Sequence, residues 1–311
     1  MSMPSPNRLR RSILATPATN LRMIAKAAVS AADVAFLDLE DAVLPADRPQ
    51  ARQNIIETFN GLDWGRTARA FRINPVDTHW CHEDLTEVIA GAGANVDVVI
   101  VPKVHGVRDV WFVDDLLTQL EKKHGLQPGR IGLEVLIEEA EALGDVHTIC
   151  GASSRLEAVT LGPGDLAASL GMRLGHIGVT DSGRAGDYDG DVWHYARSQL
   201  IVAARAHGLA AVDGPYADFS SPGGFRQAAT WFATLGGVGK WCIHPSQVEI
   251  ANEVFAPTAS EIAEARAVIE AMRSAETLGQ GAASLDGTMI DAASIRSFEV
   301  TIQRARDAGL I

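Results

Sequence analysis

Short apolar runs alternate along the chain with longer segments in which apolar residues recur at helical spacing. Eight of the runs have the length and residue content of β-strands. They are Ser12–Thr16, Val34–Leu39, Arg69–Ile73, Val96–Val101, Ile131–Ile137, Leu156–Leu161, Leu209–Val212 and Lys240–Ile243. Several are almost wholly apolar, which is typical of parallel strands buried on both faces. Helical patterns between them include Leu21–Ala32, Arg108–His124 and Trp193–His207.

Eight strands alternating with helices predict an α/β protein built as a (β/α)8 TIM barrel. A doubly wound open sheet is the alternative, because periodicity does not show whether a sheet closes. We assign residues 1–257 to a catalytic barrel and residues 258–311 to a C-terminal helical lid or arm. The simpler alternative for this tail is a helix packed on the outside of the barrel. A long loop rich in Gly and Asp, residues 171–191, could fold over the site.

The composition of the chain argues against several classes of function. The 311 residues are 47% apolar, enough for a substantial core, and the net charge of −12 without a polybasic block argues against nucleic acid as the main partner. Three scattered cysteines suit a reducing cytosol better than a disulfide framework. Arg10-Arg11 looks like a twin-arginine export signal, but Arg22 and Lys26 interrupt the apolar stretch such a signal needs. We therefore expect a cytoplasmic protein.

Polar or charged residues stand at nearly every predicted strand end. In barrels of this kind, catalytic residues come from the C-terminal ends of the strands. In chain order the strand-end residues are Asp38, Glu40, Asp41, Arg72, Asn74, Lys103, Glu138, Asp165, Asp213 and His244. Chance explains one or two such placements and not the whole set. The sequence therefore predicts an active site on this rim.

Glu138 and Asp165 follow neighbouring strands, 27 positions apart (165 − 138), about the size of one strand–helix–strand unit. Parallel strands bring both ends to one side, where two carboxylates repel each other unless a cation lies between them. Hard oxygen ligands suit Mg²⁺ or Mn²⁺, so we interpret the pair as a divalent-metal site. The alternative is that both acids cap the helices that follow, because Asp is a favoured N-cap.

Other rim residues allow two interpretations. The acids of Asp38–Asp41 either interact with the dipole of the next helix or hold metal-bound waters. We expect Arg72 to have no local acid that neutralises it, although Asp77 is near enough to be an ion-pair partner. Otherwise Arg72 is well placed to receive an oxyanion. Gly236–Lys240 resembles a phosphate loop only weakly, because Trp241 stands where Ser or Thr is required.

Several segments resemble the citrate lyase beta-subunit-like family of CoA-ester lyases, within the HpcH/HpaI aldolase superfamily. They are Phe36–Val43, Phe71–Pro75, Val101–Val104, Ile137–Glu138, Gly162–Asp165 and Gly239–Ser246. Three further segments are most similar to the malyl-CoA lyase branch of that family. They are Asp213–Ser220, Ile250–Phe255 and Leu285–Arg296. The similarity runs in order over about residues 8–306.

The resemblance implies a barrel assembled as a homotrimer or a pair of trimers, with Mg²⁺ (or Mn²⁺) on Glu138 and Asp165. Arg72 matches the family's enolate-stabilising arginine. Asp291 matches a catalytic acid that the C-terminal segment delivers to a neighbouring subunit's site. Residues expected to bind substrate or CoA, or to support the site, are Asp38, Glu40, Asp41, Asn74, Lys103 and Pro245. Thr16–Asn20 departs from the Pro-Gly step and basic residue of many relatives, so the position of the CoA phosphates is not predicted.

The activity implied by the resemblance is reversible, Mg²⁺-dependent cleavage of a 3-hydroxyacyl-CoA. L-Malyl-CoA or β-methylmalyl-CoA would give glyoxylate and acetyl-CoA or propionyl-CoA through an enolate. The expected partners are this thioester, a glyoxylate-type oxo acid and further copies of the chain, with no nucleic acid and no membrane. Alternatives are a citramalyl-CoA lyase, or a malyl-CoA thioesterase on the same scaffold. A non-catalytic CoA sensor is a third class, which the acids at Glu138, Asp165 and Asp291 disfavour.

Overall fold

The computed structural model of the protein describes residues 8–173, 176–178, 191–285 and 287–311, without the side chains of residues 292–294. The chain divides into two compact units, Met1–Asn252 and Glu253–Ile311. Most of the loop 171–191, which we expect over the site, lies outside the described residues. None of the helices in the described ranges is long and apolar enough to cross a membrane.

The first unit contains a closed barrel of eight parallel strands in sequential order, which confirms the predicted (β/α)8 fold. The strands are β1 (Ser12–Pro17), β2 (Val34–Asp38), β3 (Ala68–Arg72), β4 (Val98–Val101), β5 (Gly132–Ile137), β6 (Leu156–Leu161), β7 (Ala210–Asp213) and β8 (Gly239–Cys242). Closure is made by β1 and β8, where Ser12 pairs with Lys240 and Ile13 with Trp241. This pairing excludes the open sheet.

Helices lie on the outside of the barrel, between successive strands and after the last one. They are α1 (Leu21–Ala28), α2 (Arg48–Gly61), α3 (Trp80–Ala92), α4 (Val107–Lys123), α5 (Ala140–Gly144), α6 (Val146–Cys150), α7 (Pro163–Ser169), α8 (His194–Ala206), α9 (Pro222–Leu235) and α10 (Ser246–Val254). Short 3₁₀ turns cover Pro45–Asp47 and Gly93–Asn95. Each crossover returns the chain to the N-terminal end of the next strand, so all strand ends meet on one rim.

Strand boundaries differ from the predicted ones by at most two residues, and β6 agrees with its prediction at both ends. The predicted fourth strand starts at Val96, whereas β4 starts at Val98. The reason lies in Asp97, whose carboxylate accepts a hydrogen bond from the Arg69 N–H at 2.8 Å. A side chain thus replaces a backbone partner, and the strand ladder begins after it.

An apolar cluster of buried side chains inside the barrel includes Phe36, Leu136, Val212 and Trp241. Each of these side chains comes from a different strand, as expected when alternate residues of parallel strands point inward. Phe36 and Trp241 pack with ring centroids 4.5 Å apart near the C-terminal rim. This cluster forms the floor below the polar strand ends.

The second unit has two helices, α11 (Ala259–Thr277) and α12 (Ala292–Asp307), joined by a small hairpin. A capping box starts α11, where the Glu261 N–H donates to Thr258 Oγ1 and the Thr258 N–H donates to Glu261 Oε2. The helices pack through Ile262, Ala265, Ile302 and Ala305. The sequence predicts the helices but not the antiparallel hairpin, β9 (Ala283–Leu285) and β10 (Thr288–Ile290).

Candidate active site

A cavity of about 410 Å³ opens at the C-terminal ends of the barrel strands. Its charged lining comes from five residues that the sequence places at strand ends: Asp38, Asp41, Arg72, Glu138 and Asp165. Apolar side chains of the barrel floor complete it, including Phe36, Leu136 and Trp241. The barrel therefore brings together charged side chains that are up to 127 positions apart in the chain (165 − 38). Polar groups over an apolar floor are typical of a small-molecule site.

Arg72 lies between acids from the neighbouring strand. Its Nε and Nη2 donate to the two carboxylate oxygens of Asp38, each at 2.7 Å, because the β2–β3 register sets these residues side by side. Its Nη1 lies 2.8 Å from Glu40 Oε2, outside hydrogen-bond geometry, so that contact is an ion pair only. The expectation that Arg72 lacks a local acid is therefore wrong. Its partners come from β2 and the turn after it, and not from Asp77.

Burial and ion pairing shift the pKa values of Arg72, Asp38 and Glu40 in opposite directions. Burial favours neutral Arg72, but Asp38 and Glu40 outweigh it and raise the pKa of the guanidinium. Burial also opposes ionisation of Asp38, yet the charge and hydrogen bonds of Arg72 hold the pKa of that carboxyl below its usual value. Glu40 differs, because burial dominates and raises its pKa. Arg72 and Asp38 are thus a charged pair fixed at the edge of the cavity.

Lys103 connects the other acids of the rim. Its backbone N–H donates to Glu138 Oε1 at 2.7 Å. Its Nζ donates to Glu40 and, at 3.3 Å, to Asp41 Oδ1, and lies 3.7 Å from Asp165 Oδ2. One residue therefore contacts both acids that the sequence predicts as metal ligands.

Glu138 is only 3% exposed, and burial raises the pKa of its carboxyl to about 8. The nearby charges of Glu40 and Asp165 act in the same direction, while the Lys103 N–H and Arg72 oppose them. Ionising this carboxyl is therefore costly in the protein alone. A bound cation would remove that cost.

The two carboxylates fit a hard divalent cation better than they fit helix caps. Glu138 precedes α5, whose N-cap is Glu139, and Asp165 lies inside the first turn of α7, whose N-cap is Gly162; neither helix has a side-chain cap bond. In the described part of the chain, no group of three or more His, Cys, Asp or Glu residues is arranged to hold a metal. Two carboxylates remain, the set with which Mg²⁺ binds while keeping several waters or substrate oxygens.

The other strand-end residues have different surroundings. Asn74 is fully buried; its Nδ2 donates to Asp84 Oδ2 and Leu39 O, and it lines a second cavity of about 340 Å³ with Glu40, Asp41 and Lys103. Asp213 is buried in a cluster with Lys240 Nζ (2.5 Å) and Arg197 Nη2 (2.9 Å), behind the barrel wall. It therefore does not join the acids at the cavity.

Three further predicted residues lie away from the cavity lining or in the other unit. His244 stacks on Phe219, with ring centroids 5.3 Å apart, and its Nδ1 lies 2.8 Å from Ser246 Oγ. Pro245 caps the start of α10, where its carbonyl accepts the Val248 N–H. Asp291 is a half-buried residue of the second unit, between β10 and α12, and its carbonyl accepts the Ile295 N–H.

The aromatic side of the site is not among the features predicted from the sequence. The Arg72 guanidinium carbon lies 5.6 Å from the Trp241 ring centroid and 5.8 Å from that of Phe36. Both rings line the cavity. A usable signal was present, because Phe36 and Asp38 are two positions apart on β2 and so point to the same side.

The fold and its rim define a class: a (β/α)8 barrel enzyme with an arginine and carboxylates at the C-terminal strand ends. The chain belongs to the HpcH/HpaI aldolase/citrate lyase family, whose sequence pattern matches residues 11–245. It is accordingly a carbon–carbon lyase.

Relatives resemble the chain over most of its length. It is 44% identical to an L-malyl-CoA/beta-methylmalyl-CoA lyase of Rhodobacter capsulatus, over 98% of this chain and 97% of that protein. It is 35% identical to a malyl-CoA/beta-methylmalyl-CoA/citramalyl-CoA lyase of Chloroflexus aurantiacus, over 88% and 81%. A solved structure of CitE from Mycobacterium tuberculosis, with magnesium, acetoacetate and coenzyme A, superposes with a TM-score of 0.77 at 30% identity, covering 96% of this chain and 99% of that one.

Proposed function

We propose that the protein is a Mg²⁺-dependent lyase that reversibly cleaves L-malyl-CoA or β-methylmalyl-CoA to glyoxylate and acetyl-CoA or propionyl-CoA. The observation that carries the proposal is one cavity lined by Arg72, Glu138 and Asp165. The 44% identity to a relative of that name, over nearly the whole chain, supports the choice of substrate.

Glu138 and Asp165 would hold Mg²⁺ or Mn²⁺, which supplies Lewis acidity toward the hydroxyl and carboxylate oxygens of the substrate. Arg72 would stabilise the negative charge that develops on the thioester oxygen as the carbon–carbon bond breaks. Its Nε and one Nη2 hydrogen are used by Asp38, whereas Nη1 makes no hydrogen bond with Glu40 and remains available as a donor. The paired acids keep the guanidinium charged and oriented before the substrate binds.

Asp291 would complete the reaction as the proton donor to the enolate carbon, and in condensation as the base that removes that proton. We propose that it reaches the cavity of a neighbouring subunit in a homotrimer or a dimer of trimers. The C-terminal unit, residues 258–311 in our assignment, would then act as the lid that excludes water from the enolate. The floor of the cavity is already apolar, because it is lined by Phe36, Leu136 and Trp241.

A citramalyl-CoA lyase is the second candidate. The relative from Chloroflexus aurantiacus carries citramalyl-CoA in its name, at 35% identity. The two functions differ by one methyl group on the oxo acid, since citramalyl-CoA releases pyruvate where malyl-CoA releases glyoxylate. A panel of thioesters therefore separates them.

The test uses the purified protein with malyl-CoA, β-methylmalyl-CoA and citramalyl-CoA, and follows oxo acid and free thiol in the same sample. We expect glyoxylate and acetyl-CoA in equal amounts from malyl-CoA, without free thiol. Thiol release faster than glyoxylate release would identify a thioesterase instead.

Removal of the metal is a separate prediction. Treatment with EDTA should abolish cleavage, and added Mg²⁺ or Mn²⁺ should restore it, because two carboxylates alone do not polarise the substrate. Activity that persists in EDTA, with metal content below the enzyme concentration, would remove the metal from the proposal.

A further inference from the structure

Lys103 has a backbone conformation that residues other than glycine rarely adopt. Its φ is +46°, and in the part of the chain that the structure describes every other residue with positive φ is a glycine. The left-handed region brings Cβ close to the following carbonyl, so a residue stays there only when its surroundings enforce it. Such residues concentrate at functional sites.

The left-handed backbone determines where the Lys103 N–H points. This N–H donates to Glu138 Oε1 at 2.7 Å, across the gap between the ends of β4 and β5. The next residue, Val104, is fully buried and holds the following chain in place. Because the peptide plane before Lys103 rotates about φ, a return to negative φ would turn the N–H away from the carboxylate.

The absence of a side chain at Gly162 leaves the space that the Glu138 side chain occupies. A Cβ on Gly162 would lie 2.4 Å from Glu138 Cβ and 2.4 Å from Glu138 Oε2. The backbone does not require glycine there, because φ is −101° and ψ is 82°. Position 162 therefore requires glycine for steric reasons, because the Glu138 side chain fills the volume that a side chain at 162 would occupy.

We propose that Lys103 and Gly162 are positioning residues that fix the Glu138 carboxylate for cation binding. The Lys103 N–H holds one carboxylate oxygen, and the absent side chain of Gly162 leaves room for the other. Neither residue needs to touch the cation or the substrate through its side chain. The inference rests on the proposed function in one respect, that Glu138 is a metal ligand.

The first test compares substitutions at Lys103 that all remove the ammonium group but differ in tolerance of positive φ. Gly and Asn accept the left-handed region, whereas the β-branched Val does not. We expect Lys103→Val to bind Mn²⁺ about tenfold more weakly than Lys103→Gly, with Lys103→Asn close to the Gly variant. Mn²⁺ affinity is measured by electron paramagnetic resonance without substrate, so that lyase activity does not enter the result.

Equal Mn²⁺ affinity in the Gly and Val variants would overturn the role of the Lys103 backbone. Circular dichroism and thermal unfolding establish that both variants are folded. If Lys103→Val does not fold, the comparison at Gly162 decides the proposal.

The second test compares Gly162→Ala with Gly144→Ala, at the end of α5, where a Cβ meets nothing within 4 Å. We expect Gly162→Ala to weaken Mn²⁺ binding at least about tenfold, since Glu138 must leave its position, and Gly144→Ala to leave binding unchanged. Wild-type affinity in Gly162→Ala would overturn the inference.

The outcomes also separate this inference from the proposed function. Wild-type protein that binds no divalent cation would remove both the metal site and the positioning role. Wild-type binding with no loss in the variants would remove only the positioning role. Normal Mn²⁺ affinity in a protein that cleaves none of the thioesters would leave the positioning role standing and remove the proposed activity.

Discussion

At the scale of single residues, Arg72 shows how structural and chemical roles combine in one side chain. It is 7% exposed and is the counter-charge of two buried acids, Asp38 and Glu40. It also lines the cavity with Glu138 and Asp165. Removing it therefore affects both stability and chemistry, and a test of its role has to separate the two.

We predict that Arg72→Ala lowers the free energy of unfolding by about 3–5 kcal/mol, because it leaves the buried Asp38 carboxylate without its cationic partner. Lyase activity should fall by about 10²–10³-fold. Arg72→Lys keeps the charge but loses the two parallel hydrogen bonds to Asp38, so most of the stability should return and most of the activity should not. Urea unfolding and kcat/KM of the three proteins provide the test. Wild-type kcat/KM in the lysine variant would show that the guanidinium has no chemical role.

The cysteines allow a test of burial that is independent of function. Burial raises the pKa of the thiols of Cys81, Cys150 and Cys242, each to about 12. The thiolate is the reactive form, and at pH 8 about one part in 10⁴ of each thiol is ionised. We expect no labelling by a disulfide reagent in the native protein at pH 8 and three labelled thiols in urea. Rapid labelling of one native thiol would show that its surroundings are open.

At the scale of elements, the parallel strands explain which features of the site the sequence predicts and which it does not. The strand ends were predictable, because a polar residue after an apolar run marks the place where a buried strand leaves the sheet. Pairings across strands were not. Arg72 and Asp38 are 34 positions apart, and only the β2–β3 register places them side by side. The pairing of Asp213 with Lys240 likewise depends on the β7–β8 register, and Arg197 joins them from helix α8.

Barrel closure depends on one close approach between the first and last strands. A Cβ on Gly239 of β8 would lie 1.6 Å from the Arg10 carbonyl oxygen, a backbone atom that moves only if β1 moves. Gly239→Ala should therefore destabilise the barrel by about 3 kcal/mol or prevent folding. Gly223→Ala in α9, where a Cβ has open space, is the matched control and should unfold like the wild type. Thermal and urea unfolding give the comparison, and equal stability of the two variants would contradict this account of closure.

At the scale of the whole molecule, the candidate chemistry is divided between two compact units. The cavity and its arginine and carboxylates belong to Met1–Asn252, whereas Asp291 belongs to Glu253–Ile311. A site shared between subunits makes a prediction that a site within one chain does not. Two defective chains can complement each other when they assemble.

We predict that Asp291→Asn and Glu138→Gln are each inactive and that their mixed assemblies regain activity. If each site takes Asp291 from a neighbour, about one quarter of the sites in a random equal mixture combine an intact Glu138 with an intact Asp291. Co-expression with two affinity tags isolates mixed assemblies for the assay. Mixed assemblies of Glu138→Gln and Arg72→Lys, whose defects share one unit, are the control and should stay inactive. No recovery in the first mixture would place Asp291 in the site of its own chain or outside the mechanism.

The sequence by itself determined the strands and the positions of the acids and arginine at their C-terminal ends, because burial repeats with the period of each element and is encoded locally. It did not determine that the sheet closes into a barrel, which rests on the pairing of β1 with β8. The tertiary structure alone decided which charged side chains meet. It also decided that burial raises the pKa of the Glu138 carboxyl to about 8, and that the Lys103 N–H points toward that carboxyl. These properties depend on distances across strands and on the exclusion of water. Both exist only once the barrel has closed.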